Sequence, residues 1–170
     1  VLLPGLILGG IATYITKTTF HKYSQYGAYS GLTGAQAARR LLDSEGLQDV
    51  QVEMVNGFLS DHYDPSSRTL RLSSAVYRSP SLSAIGVACH EAGHAIQHAH
   101  SYAPLMLRSA LVPVTQFGSQ ASYLFIILGF AFRPLLLVGI LLFTIVVIFS
   151  IVTLPVEWDA SARAKRLMVT

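Results

Sequence analysis

The stretch CHEAGHAIQHAH, residues 89–100, carries four of the chain's six histidines and one carboxylate, Glu91. His90, Glu91 and His94 spell H-E-x-x-H. On an α-helix, residues i and i+4 share a face, about 6 Å apart along the axis. Two imidazoles at that spacing can converge on one zinc ion with bonds of about 2.0–2.1 Å. Glu91, one position after the first histidine, then reaches the open coordination position rather than the ion. There it can act as general base on an activated water. The bland alternative is a pair of surface histidines flanking a glutamate by chance. The helical context, with small Ala92 and Gly93 permitting close packing, favours the metal.

A catalytic zinc takes three protein ligands, so a third is needed. His98 continues the i+4 series but lies two steps of four beyond His90, about 12 Å of helix, too far to share the ion. His100 stands where H-E-x-x-H-x-x-G-x-x-H has its last histidine. That pattern turns the chain back at a glycine, and here Gln97, a good helix former, occupies the place. The distant candidates are Glu157 and Asp159 in TLPVEWDASARAKR, the only acidic residues after Glu91. An acidic residue at the end of a spanning helix needs a partner or water. Pro155 at a helix start would put Glu157 in the first turn. Asp159 lies about 200° further round and is spaced to pair with Arg163 at i,i+4. Glu157 is the expected third ligand, with Asp159 in reserve.

The elements that must position these groups are unlike those of an ordinary soluble domain. Hydrophobic residues make up 52% of the chain and charged residues 12%, with a mean hydropathy of +0.49. Soluble domains carry roughly a quarter charged residues, so a membrane protein is expected. The net charge of +3 is spread out, with no basic run or aromatic-interleaved basic stripe, and nucleic-acid binding has no support. The single Cys89 excludes an internal disulfide.

Residues 1–16, VLLPGLILGGIATYIT, are apolar and uncharged. A full span needs about 20 residues, and the basic start and A-x-A exit of a signal peptide are absent, so this reads as a truncated transmembrane helix. The end at AKRLMVT likewise reads as interrupted sequence. Residues 17–103 form the expected peptidase-type domain. Within it TGAQAARRLLDSEG is a helix with capping-box spacing at Thr33 and Gln36 and a stop at Gly46. Residues 50–60 and 68–73 read as hairpin strands turning at Asp64–Ser67. The helix with the histidines is expected to start at Ser79 as cap and Pro80 as first residue. Residues 104–154 hold two spanning segments, about 110–132 and 134–154, and 155–170 a helix carrying Glu157. The polar set Thr115, Gln116, Ser119, Gln120 and Ser122 reads as interhelical packing rather than the lining of a wet cleft.

Taken together, the blocks GFLSDHYDPSSRTLRLS, HEAGHAIQHA, ALVPVTQFGSQASY and TLPVEWDASARAKR resemble those of the YugP-type neutral zinc metallopeptidases, a family of bacterial membrane proteins. The likeness runs from about Tyr23 to Leu167. It implies a membrane-embedded zinc endopeptidase of the gluzincin kind, with His90, His94 and Glu157 as ligands and Glu91 as general base. One departure stands out. Better-studied gluzincins place an aspartate four residues after the ligand glutamate, where this chain has Ser161, and this keeps Asp159 open.

The expected fold is therefore an α+β membrane protein: transmembrane helices plus a small zincin-like domain with an H-E-x-x-H helix and a short β-hairpin or sheet. In SDHYDP, His62 is a candidate oxyanion donor if substrate lies along an edge strand; ordinary turn chemistry is the alternative. The expected partners are a peptide or protein substrate and the lipid bilayer, and the cofactor is Zn2+. Lys17, Lys22, Arg163, Lys165 and Arg166 flank the outer segments, against Arg133 between the middle ones. By the positive-inside rule the catalytic domain is expected on the cytoplasmic side of the cell membrane. The rival reading is a catalytically silent zinc-binding membrane scaffold; an intact Glu91 argues against it.

Overall fold

A computed structural model of the chain describes the backbone of residues 2–169 and the side chains of residues 5 and 7–166. It is helix-dominated, with one small sheet. The elements are α1 (Leu2–Ser24), α2 (Gly34–Ser44), β1 (Gln51–Val55), β2 (His62–Asp64), β3 (Thr69–Ser73), α3 (Ser74–Tyr77), α4 (Leu82–Ala99), α5 (Ala103–Gly129) and α6 (Arg133–Val169). The backbone divides into two compact units, residues up to Ile96 together with those from Arg163, and Gln97–Ala162.

In the first unit, α2 starts as its sequence requires. The Thr33 hydroxyl accepts from the Gln36 amide at 3.3 Å, and the Gln36 side-chain oxygen accepts from the Thr33 amide at 3.0 Å. The sheet differs from the simple hairpin expected. β1 and β3 pair in parallel, Gln51 opposite Thr69, while β2 pairs antiparallel with β3, His62 opposite Arg71. The order is β1-β3-β2. The first strand stops at Val55 rather than near residue 60 because the chain turns at Gly57 (φ 116°) and Leu59 (φ 54°). The hairpin at Asp64–Ser67 survives as the β2–β3 connection. There the Asp64 carboxylate accepts from Ser66, Ser67 and Arg71 at 2.6–2.9 Å, and these bonds hold its pKa well below the usual carboxylate range.

The core joins Leu41 and Leu42 of α2, Leu70 and Leu72 of β3, Val76 of α3, and a row on α4. That row is Ala84, Ala88, Ala92 and Ala95 with Ile96, spaced as one helical face. Alanines there present a smooth, small-side-chain face of α4 to this core. The helix begins two residues later than expected. Ser81, not Ser79, is the cap: its hydroxyl accepts from the Ala84 amide at 3.3 Å, and the Ser79 hydroxyl instead bonds that of Ser81 at 2.9 Å.

In the second unit, α5 and α6 approach through small residues. A Cβ at Gly129 would lie 2.5 Å from the Leu136 backbone, and one at Gly139 2.7 Å from the Ile126 side chain. Ser122 is fully buried and donates back to the Ser119 carbonyl at 2.9 Å, in keeping with a packing role. Among the described residues two helices are long and apolar enough to cross a membrane, Ala103–Gly129 and Arg133–Arg166. The first begins and ends earlier than the 110–132 read from sequence, since Pro104 sits in its first turn. The segment at 134–154 and the helix from 155 are one helix, with Pro155 inside it. The proline deletes a single bond, to the Ile151 carbonyl, and the rest of a 37-residue helix carries it. Of the expected 1–16 span, Val1 lies outside the described residues and the remainder opens α1, which continues to Ser24.

Candidate metal centre

His90 and His94 stand one turn apart on α4, their ring centroids 4.9 Å apart at 80°. Both project from the side of the helix away from the alanine row. His94 is buried, and His90 and Glu91 are half-buried. Cys89 belongs to the core cluster, and burial pushes its thiol up to about 11. It stays protonated at neutral pH and offers no thiolate to a metal.

Glu157, half-buried on α6, has Oε1 3.6 Å from Nη2 of Arg108 on α5. Gln97, fully buried at the end of α4, donates through Nε2 to the Val156 carbonyl and to Oδ2 of Asp159, both at 2.8 Å. Asp159 is thus drawn into a hydrogen bond from Gln97. Among the described residues, the group whose ligand atoms all lie within 4.8 Å of one another is His90, His94 and Glu157. Asp159, His98 and His100 do not belong to it. His98 is half-buried in the last turn of α4 and His100 is exposed just beyond it. Ser161 is half-buried one turn after Glu157.

The donor set fits zinc. Two imidazoles and a carboxylate are the ligands that leave a fourth position open. Tetrahedral bonds of about 2.1 Å place ligand atoms about 3.4 Å apart, a side-chain rotation from the spacing found. His62 opens β2 at the sheet edge, exposed, with Nδ1 2.8 Å from the Ser60 carbonyl. Nδ1 therefore donates, and Nε2 carries a proton only in the imidazolium form.

Two residues of this region lie beyond what the H-E-x-x-H spacing points to. Gln97 reads in sequence as a helix former where a glycine turn would be needed. Arg108 is the only charged residue in α5, and a charge in an apolar helix is itself a signal. Its Nε is buried without a hydrogen-bond partner among the described residues, so the guanidinium is aimed by packing.

A pair of histidines one turn apart, followed by a carboxylate from a distant helix, defines the class of site. The comparisons with known proteins give the family. The whole chain, residues 1–170, matches the family described as "Putative neutral zinc metallopeptidase", and the chain belongs to that family. It is 50% identical over 161 residues to the protein of Bacillus subtilis (strain 168) described as "Putative membrane protease YugP", a match covering 94% of this chain and 72% of that relative. No solved structure matches.

Proposed function

We propose that the chain is a membrane-bound zinc metalloendopeptidase acting on peptide or protein substrates. The observation that carries this reading is the grouping of His90, His94 and Glu157, with Glu91 next to the first ligand on the same helix. Zinc held there would supply Lewis-acid activation of a water and of the scissile carbonyl. Glu91 accepts the proton of the attacking water and delivers it to the leaving amine. Arg108 holds the Glu157 carboxylate in orientation. The edge strand β2 offers backbone groups to an extended peptide. His62, when protonated, can donate from Nε2 to the developing oxyanion.

The decisive comparison is degradation of an unfolded protein by wild type and Glu91→Gln, with zinc measured in both. The expected result is equal zinc and a loss of about 10²–10⁴-fold in rate. Equal zinc with equal activity would sink the enzyme reading. Zinc binding by a wild type that cleaves nothing would favour the silent scaffold.

The two apolar helices and the relative's description support a multi-pass membrane location. The basic flanks named above support a cytoplasmic catalytic domain. A Ser66→Cys variant tests that side, because Ser66 is exposed while Cys89 is buried and protonated. An impermeant thiol reagent should label Cys-substituted protein in opened cells and leave it unlabelled in intact ones.

A further inference from the structure

We infer that an apolar cavity on the metal-bearing side of α4 receives a large apolar side chain of the substrate, and that Gly86 keeps it open. The inference rests on the peptidase reading and adds to it the class of residue selected. The cavity measures about 610 Å³, with walls from Ile15 and Phe20 of α1, Leu59 of the loop between β1 and β2, and Leu82, Gly86 and Val87 of α4. That size accommodates a bulky side chain and its neighbours. Polar groups are few in it. The Thr16 hydroxyl is turned back onto the Ala12 carbonyl at 2.9 Å, the Ser83 hydroxyl lies 3.3 Å from that of Ser81, and Thr19 and Tyr23 bring two further hydroxyls. The rest of the wall is apolar and suits an apolar occupant.

Its place follows from helical geometry. Ser83, Gly86, Val87, His90 and His94 recur at steps of three, one, three and four, so they form one stripe of α4. This stripe lies opposite the alanine row in the core. Gly86 and Val87 precede His90 by about 4.5–6 Å along the axis. An extended peptide advances about 3.3 Å per residue. A metal held between His90 and His94 lies about 7.5–9 Å from Gly86 and Val87 along the axis, so a side chain two or three residues from the bond held there falls at the cavity. This continuity with the ligand stripe commits the occupant to substrate rather than to a lipid chain.

Gly86 has no other evident task. It is helical, and a Cβ added to it would meet nothing within 4 Å. Glycine is disfavoured in a helix interior, so what it supplies here is volume. The opposite wall is held in place. Leu59 sits at φ 54°, where a side-chain-bearing residue is uncommon. Its neighbour Phe58 packs edge-on against Phe20 with centroids 5.8 Å apart.

The test uses the full chain in phosphatidylcholine vesicles, as wild type and Gly86→Leu. A Cβ at this position meets nothing within 4 Å and leucine favours the helix, so folding and zinc content, both measured, should be unchanged. The probes are fluorogenic peptides carrying Ala, Leu or Phe at each of the three positions on either side of the cleaved bond. Wild type should prefer Leu or Phe at one of them. Gly86→Leu should lower kcat/KM for those peptides about tenfold or more beyond any loss with the Ala peptide, the discrimination an apolar pocket supplies. In parallel, a benzophenone-bearing peptide is photo-crosslinked to the Glu91→Gln protein, with and without Gly86→Leu. Crosslinks should map to Leu59 or Val87 and vanish when Gly86 is filled. Hydrolysis with an unchanged preference, or labelling of the cavity by a photoactivatable acyl-chain lipid instead of the peptide, would overturn the inference while leaving the peptidase standing. Crosslinking without hydrolysis by wild type would keep the cavity and remove the peptidase.

Discussion

The region built on the sheet and the helical pair α5–α6 are stabilised in opposite ways. The first hides Leu42, Leu70, Leu72, Val76 and Ile96 almost completely. The second turns Leu124, Ile127, Leu137, Leu141 and Ile148 outward, each about half exposed or more, and closes on itself through Gly129, Gly139 and Ser122. Expulsion of water drives the first. Close packing of small residues, with lipid as the surrounding solvent, suits the second. Of the proposed ligands, His90 and His94 stand on α4 and Glu157 on α6.

The largest effect that sharpens this contrast is loss of metal from the membrane-type helix alone. Glu157→Ala should lower zinc affinity by more than the 10–100-fold that about marks loss of a supporting partner, while Asp159→Ala and His100→Ala keep their zinc. Metal content of the three purified proteins decides it. Full retention in the first with loss in another would move the third ligand.

Next comes truncation of one leucine in each region. Leu72→Ala should destabilise by about 2–5 kcal/mol, through lost burial and a residual cavity. Leu141→Ala, facing outward, should stay within about 0.5 kcal/mol in the same detergent. Denaturant titrations monitored by hydrogen exchange in each region read both. Similar costs at the two sites would erase the distinction.

The smallest effect is an acid limb confined to the sheet region. The folded-state pKa of Asp64 is depressed, so its stabilising contribution is present above the unfolded value near 3.8 and is lost as pH falls through the folded value. Asp64→Asn should therefore lower stability at neutral pH and flatten its decline below about pH 4. Matched stability curves from pH 2 to about 7 check both, and parallel curves would remove Asp64 from the account.

Local features were legible from the residues. The capping box at Thr33 and Gln36, the turn at Asp64–Ser67, the pairing of His90 with His94 and the two long apolar helices all follow from spacings of a few residues. Misreadings arose where a local signal competed with its surroundings. Pro155 signals a helix start, yet α6 runs through it. Ser79-Pro80 signals a cap, yet Ser81 takes that position because its hydroxyl reaches the Ala84 amide. The alternation over 50–60 suggested one strand, but Gly57 and Leu59 bend the chain and give β3 a second neighbour.

What the sequence by itself determined is therefore the short-range chemistry: which helix can present two imidazoles on one face, where Glu91 stands beside them, and which segments are long and apolar enough to cross a membrane. Tertiary structure alone decided that β1 pairs in parallel with β3, that Gln97 bonds Asp159, that Arg108 faces Glu157, and that a cavity opens beside Gly86. The reason is physical. A spacing of three or four residues is imposed by the helix itself. Contacts between residues tens of positions apart exist only after the chain has closed on itself, and their partners are chosen by packing that no local spacing encodes.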